Sequence, residues 1–131
     1  VLEEGVRGEP VGKLLRPDKE DYFVLKAKHS GFYHTQLDLL IDYLHVKTIV
    51  LAGFTTDICV LFTAADAHMR DLEVIVPADC SAAAARQDHE NALDLMSRVL
   101  DVVTIPSDDV DFTRLLDSSR DAEQRAATSG E

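Results

Sequence analysis

Polar and apolar positions fall into short blocks whose period changes along the chain. Asp21–Leu25 (DYFVL) is an apolar-rich run with strand character. From Gln36 to Leu44 the apolar residues Leu37, Leu40, Ile41 and Leu44 follow i, i+3, i+4, i+7 spacing. That spacing predicts a helix with one buried stripe, and Thr35 stands where it can cap it. Thr48–Ala52 is continuously apolar, as in a buried strand, and Gly53 breaks it. Thr55, Thr56 and Asp57 then offer capping side chains. Ile58–Met69 contains neither Gly nor Pro and predicts a helix, ended by Arg70 and Asp71. Glu73–Val76 is the next strand, stopped by Pro77. A helical region opens at Asp79 and Ser81, through Ala82–Ala85 or from Arg86 onward. It continues over Asn91–Leu100 with Ala92, Leu95, Met96 and Val99 on one side. Val102–Ile105 is a last strand, and Asp108–Leu116 a short helix.

The order is strand and helix in alternation, which implies parallel strands joined by right-handed helical crossovers. The predicted architecture is α/β: a three-layer, Rossmann-like parallel sheet with helices on both faces. Residues 1–20 carry Gly5, Gly8, Gly12, Pro10 and Pro17 and predict loop with a short hairpin. Residues 118–131 are polar and predict a disordered tail, so the domain is placed at 1–117. Ligands of open α/β sheets bind outside the carboxyl ends of the strands. Lys26 and Cys59 both lie just past predicted strand ends, which puts them on one edge of the sheet.

The chain has 131 residues, 46% of them hydrophobic, enough for one domain with a core. A formal net charge of −11 argues against a nucleic-acid backbone or an anionic membrane as partner. No apolar run has the length of a membrane span. Cys59 and Cys80 are too few for a secreted disulfide framework, and a reducing cytoplasm is the expected location. The five histidines, His29, His34, His45, His68 and His89, form no metal-binding spacing and read as scattered surface residues. No metal or cofactor is expected from these residues.

Cys59 carries the sharpest chemistry. A thiol in the first turn of a helix that follows a buried strand meets the positive end of the helix dipole and free backbone N–H groups. Its thiolate is favoured there, which suits a nucleophile. The same position, followed by Val60, Leu61 and Phe62, also describes a thiol packed into a core. Cys80 reads as structural.

Three passages extend this picture. They are VLKAKHSGFYHTQLDLL (Val24–Leu40), LAGFTTDICVLFTAADA (Leu51–Ala67) and EVIVPADCSAA (Glu73–Ala83). Together they resemble the isochorismatase-like cysteine hydrolases, the superfamily of nicotinamidases, N-carbamoylsarcosine amidases and ureidoacrylate amidases. The resemblance runs from about Leu15 to Pro106. It implies that Cys59 is the nucleophile and that the catalytic lysine is Lys26, six residues ahead of Phe32, with Lys28 as its neighbour. It also implies a cis peptide at Phe54–Thr55, with the amides of Thr55 and Cys59 forming an oxyanion hole. Phe32 and Phe54 are candidates for the walls of a small pocket. The family's catalytic Asp sits in a D-x-Q-x-x-F-like segment that has no match ahead of Lys26. Asp18 and Asp21 stand too near Lys26 to replace it. The metal-binding residues of the nicotinamidase branch belong to that same unmatched part. The chain therefore reads as the C-terminal portion of a longer enzyme, with one or more N-terminal strands missing.

The function implied is hydrolysis of a small amide or related C–N bond through a Cys thioester, in a homo-oligomer. Three alternatives stand beside it. One is a catalytically inactive or interaction subunit that lacks the general-base Asp. The second is an isochorismate-type vinyl-ether hydrolase, against which the presence of Cys59 argues. The third is a redox-sensing protein that uses Cys59 and Cys80.

Overall fold

A computed structural model of the chain describes residues 8–117. It contains helices α1 (Glu9–Leu14), α2 (Leu37–Tyr43), α3 (Leu61–His68) and α4 (Arg86–Val99). The strands are β1 (Thr48–Val50), β2 (Gly53–Phe54), β3 (Glu73–Ile75) and β4 (Ser81–Ala82). β1 pairs with β3 in parallel, Ile49 opposite Val74, and Ile75 bridges to Val103, also in parallel. Of the predicted strand Val102–Ile105 only this bridge forms, and the segment extends the ladder through Val103 N–H to Val74 O (3.0 Å), Val76 N–H to Val103 O (2.9 Å) and Ala78 N–H to Ile105 O (2.9 Å). β2 and β4 form a second parallel pair beyond the first. The protein is thus α/β with parallel strands joined through helices, as the alternating pattern predicts.

One core joins these elements. Val60, Ala64 and Ala67 from the Cys59 helix, Val74 and Val76 from β3 and its extension, Met96 from α4, Val102 and Phe32 are buried together. Leu37 and Ile41 of α2 pack against them, which accounts for half of the predicted stripe. Val50 and Val103 are 38% and 45% exposed, so burial is not continuous along the strands.

Several predicted elements are corrected. Asp21–Leu25 is not a strand: among the described residues no strand pairs with it, and Leu25 is 90% exposed. Backbone hydrogen bonds to a neighbour define a strand, and apolar composition cannot supply the neighbour. In place of loop or hairpin near the start there is α1, opened by Pro10 in its first turn, a position Pro tolerates well. Of the two helix starts left open after Asp79 and Ser81, the structure takes Arg86, and Ser81 and Ala82 are strand. On α4, Ala92 and Met96 are buried while Leu95 and Val99 are exposed. The predicted helix 108–116 divides into a 3-10 turn at Ser107–Asp109 and a helical segment from 112. The expected disordered tail, 118–131, lies outside the described residues.

Helix ends are closed without glycine. His45 and Asp71 take left-handed φ values of 51° and 57°. Each is followed by a closing bond, Val46 N–H to Ile41 O (3.0 Å) and Leu72 N–H to Ala67 O (3.2 Å). Thr35 stands one residue ahead of the N-cap Gln36 and does not cap α2 as expected; its Oγ1 accepts the Leu37 N–H at 3.2 Å.

Arg70, just after α3, ties that helix to α2. Its guanidinium donates to both carboxylate oxygens of Asp38, at 2.5 and 3.0 Å, and lies 4.3 Å over the Phe32 ring. The Arg70 hydrogen bond holds the Asp38 carboxyl below its ordinary value, against a smaller opposing effect of burial. A depressed carboxylate stabilises the fold fully above the unfolded pKa of ~3.9, and that contribution fades as pH falls through the lower folded value. Both side chains are partly exposed (35% and 49%), so the effect is small. Asp38→Asn is expected to lower stability at pH 7 by up to ~1 kcal/mol. The difference from wild type should close as the pH is taken below ~3.9. Urea melts of both proteins at the two pH values check this; a pH-independent difference would contradict it.

Candidate active site

The Cys59 turn is built by the backbone on either side of it. Gly53 has φ +113°, a conformation that side-chain-bearing residues rarely adopt, and its N–H donates to Cys80 O at 2.9 Å. The Phe54–Thr55 peptide is cis. Thr56–Val60 then form a π-helical turn that feeds directly into α3. The Thr55 carbonyl accepts from Val60 N–H at 3.1 Å, and Leu61 N–H reaches Thr56 O. The wide bonds therefore begin at Val60, and the Cys59 N–H precedes them, among the first-turn amides of the helix. The predicted capping side chains are used otherwise. None caps this turn; Thr56 bonds to Ser81 and His89, and Asp57 Oδ1 is buried without a hydrogen-bond partner among the described residues.

Cys59 is a free, half-buried thiol. The Lys26 Nζ stands 3.2 Å from its sulfur and also donates to Lys28 O at 3.3 Å. Of the two candidate lysines, Lys26 is the one whose amine meets the sulfur, while Lys28 contributes a carbonyl. The segment that carries Lys26 is docked on the Cys59 helix by a short chain of hydrogen bonds. Gly31 N–H donates to Thr63 Oγ1 (2.9 Å), and the Thr63 hydroxyl donates to the Cys59 carbonyl (2.7 Å). A Cβ on Gly31 would stand 3.2 Å from Leu37 Cδ2, which would have to give by a few tenths of an ångström.

Lys26, Leu51, Ala52, Phe54, Cys59, Val60 and Thr63 line a recess of about 120 Å³. Phe54 is 75% exposed at its edge. Phe32 does not line it: that ring is buried in the core beneath Arg70. Among the described residues no Asp or Glu lines the recess. Asp18 and Asp21 bond to each other instead, Asp18 N–H donating to Asp21 Oδ2 at 2.8 Å. No three His, Cys, Asp or Glu side chains among the described residues are grouped to hold a metal ion. Asp79 lies past β3, where its carboxylate accepts from the Ser107 hydroxyl (2.6 Å) and the Ser107 N–H (2.7 Å). Those bonds hold its carboxyl below the ordinary range.

Two residues near the thiol escaped the sequence reading. Thr63 stands four positions after Cys59, the offset at which a helical Thr bonds back to a carbonyl, and that spacing was available as a signal. His89 is not a scattered surface histidine: it is half-buried, with Nδ1 2.8 Å from Thr56 Oγ1. Cys80, expected to be structural, is exposed.

Parallel strands deliver a thiol to the start of a helix, beside an amine at a small recess, in an α/β protein. Residues 1–107 match the isochorismatase domain. The chain is 43% identical over 94 residues to the isochorismatase family protein YaaI of Bacillus subtilis, covering 72% of this chain and 52% of that one. It is 36% identical over 81 residues to a ureidoacrylate amidohydrolase of Methylorubrum extorquens, covering 62% and 33%. Its fold is similar to the crystal structure of N-carbamoylsarcosine amidase from Thermoplasma acidophilum, with TM-score 0.70 and 39% identity over 82% of this chain and 60% of that one. The protein belongs to the isochorismatase family. The chain spans about half of the length of YaaI and a third of the ureidoacrylate amidohydrolase.

Proposed function

We propose that this chain carries the thiol side of a cysteine hydrolase site that cleaves a small amide or related C–N bond. The observation that carries the proposal is the Lys26 Nζ at 3.2 Å from Cys59 Sγ, at the edge of a recess. Its relatives include an amidohydrolase and an amidase, which fits a linear amide substrate.

The thiol first gives its proton to a base, and the sulfur attacks the carbonyl carbon. The carbonyl oxygen, now an oxyanion, is held by the N–H groups of Thr55 and Cys59. The Lys26 ammonium stabilises the sulfur and the developing charge. The C–N bond then breaks, the amine leaves with the proton, and a thioester on Cys59 remains. Water hydrolyses the thioester and restores the thiol. The base is a carboxylate from outside the recess lining described above. Phe54 forms the apolar edge of the pocket. Self-association belongs to the same reading, supported by Leu95 and Val99, exposed on one side of α4. A reducing, cytoplasmic location is supported by two free cysteines.

One observation favours a second reading. Among the described residues no carboxylate lines the recess, which suits a catalytically inactive or interaction subunit of the same fold.

Acid quenching during incubation with small ureido and carbamoyl amides, followed by peptide mass mapping, tests the proposal. An acyl adduct on the Cys59 peptide and none on the Cys80 peptide is the expected result. Turnover without such an adduct would overturn the thioester route. Neither turnover nor adduct would select the inactive-subunit reading.

A further inference from the structure

A second polar cluster lies behind the Cys59 turn, and the proposed chemistry makes no use of it. Thr56 is fully buried (0% exposed), yet its hydroxyl is not idle. Its Oγ1 lies 3.0 Å from Ser81 Oγ and 2.8 Å from His89 Nδ1, both within hydrogen-bond distance. A threonine hydroxyl has one proton and otherwise accepts, so it can serve both partners at once.

The cluster joins the parts that shape the turn. Ser81 belongs to β4 and is in register with Gly53 of β2, the strand that leads into the cis peptide. Thr56 opens the π-helical turn, and its carbonyl receives Leu61 N–H at the start of α3. His89 lies in the first turn of α4, its N–H bonded to Ala85 O at 3.2 Å. The strand entering the Cys59 turn and the helix leaving it are thus both anchored to α4 through one hydroxyl. Removing the His89 nitrogen leaves the fully buried Thr56 hydroxyl short of a partner, at the turn that carries Cys59.

We propose that His89 and Thr56 are positioning residues that hold Cys59 in register with Lys26, acting through the Thr56 hydroxyl and not through contact with substrate. Their catalytic meaning rests on Cys59 being the nucleophile. Alkylation reports on the thiol itself, so either idea can fail alone.

The test is the rate of iodoacetamide labelling of Cys59 in the full 131-residue chain. Exposed Cys80 on the same protein serves as internal reference. His89→Phe keeps a ring without the nitrogen, and His89→Asn restores a hydrogen-bonding group near the Nδ1 position. Thr56→Val removes the hydroxyl at equal volume, and Thr56→Ser keeps it. The Phe and Val variants should slow Cys59 labelling relative to Cys80 by roughly tenfold, with the Asn and Ser variants within about twofold of wild type. Thermal melts identify a temperature at which every variant is folded; if Thr56→Val does not fold, the His89 pair decides. Wild-type labelling in His89→Phe would overturn the proposal. So would equal slowing in His89→Asn, because the effect would then follow packing and not the hydrogen bond to Thr56.

Discussion

Cys59→Ala is expected to abolish turnover of small amides while leaving the fold in place. Without sulfur there is no covalent intermediate, and removal of a catalytic nucleophile costs on the order of a thousandfold or more. The structural cost is small. Cys59 is half-buried, its side chain is not among the core residues, and alanine is the best helix former. Its carbonyl still accepts the Thr63 hydroxyl, so the dock between the Lys26 segment and α3 survives. Stability should therefore change by less than about 1 kcal/mol. Steady-state turnover and urea melts of the same preparation check both parts. Retained turnover in a folded variant would end the nucleophile assignment.

How far the site could be read from sequence follows from what each residue depends on. The helix start at Cys59 is local: an apolar strand, a glycine and a Gly- and Pro-free segment are visible in the chain itself. The meeting of Lys26 with Cys59 is not local, because 33 positions separate them. Strand-edge topology brought the two near each other in the sequence reading, while the choice of Lys26 over Lys28 came from the family resemblance. The structure puts the Lys26 amine at the sulfur. Phe32 and Phe54 show the limit of residue type. Both are aromatic and near glycine, yet one is 5% and the other 75% exposed. Phe32 joins the core cluster and is covered by Arg70 from the end of α3, while Phe54 sits at the edge of the recess. His89 was equally hidden, because its partner Thr56 lies 33 positions away and no local pattern marks the pair.

The fold was legible where periodicity was strong. The β1, α3, β3 and α4 elements all appear at the predicted places, and the parallel pairing follows from their order. Errors gathered where a partner or a terminus decides. Asp21–Leu25 has strand composition but no neighbour among the described residues. Ser81 and Ala82 have helical surroundings but are drawn into pairing with Gly53 and Phe54. Helix stops lacked the usual glycine signal because His45, Asp71 and Asp101 take the left-handed position instead. The stripe on α4 was placed on the correct side, but Ala92 and Met96 face the core while Leu95 and Val99 do not.

That last distinction leads to the largest expected effect on stability, in Met96→Ala. Met96 is fully buried (0% exposed) among Val60, Ala64, Val74, Val76 and Val102, where α4 meets the sheet. Its carbonyl closes the end of α4, accepting from Leu100 N–H (3.0 Å) and Val102 N–H (3.2 Å). Alanine keeps those backbone bonds, so the substitution isolates side-chain packing. Truncating a buried Met to Ala costs about 2–5 kcal/mol, from lost transfer energy plus the cavity left behind. Each kcal/mol lowers Tm by roughly 4 °C in a chain of this size, so a fall of about 8–20 °C is expected. Met69 provides the control, being the same residue type at the end of α3 but 70% exposed. Met69→Ala should change stability by no more than ~0.5 kcal/mol. Urea and thermal melts of the two variants measure the contrast directly. Equal effects would mean that α4 does not pack on the sheet through Met96. A large loss confined to Met96→Ala, with Cys59 labelling unchanged well below the melt, would show the core and the thiol recess as energetically separable parts of the domain.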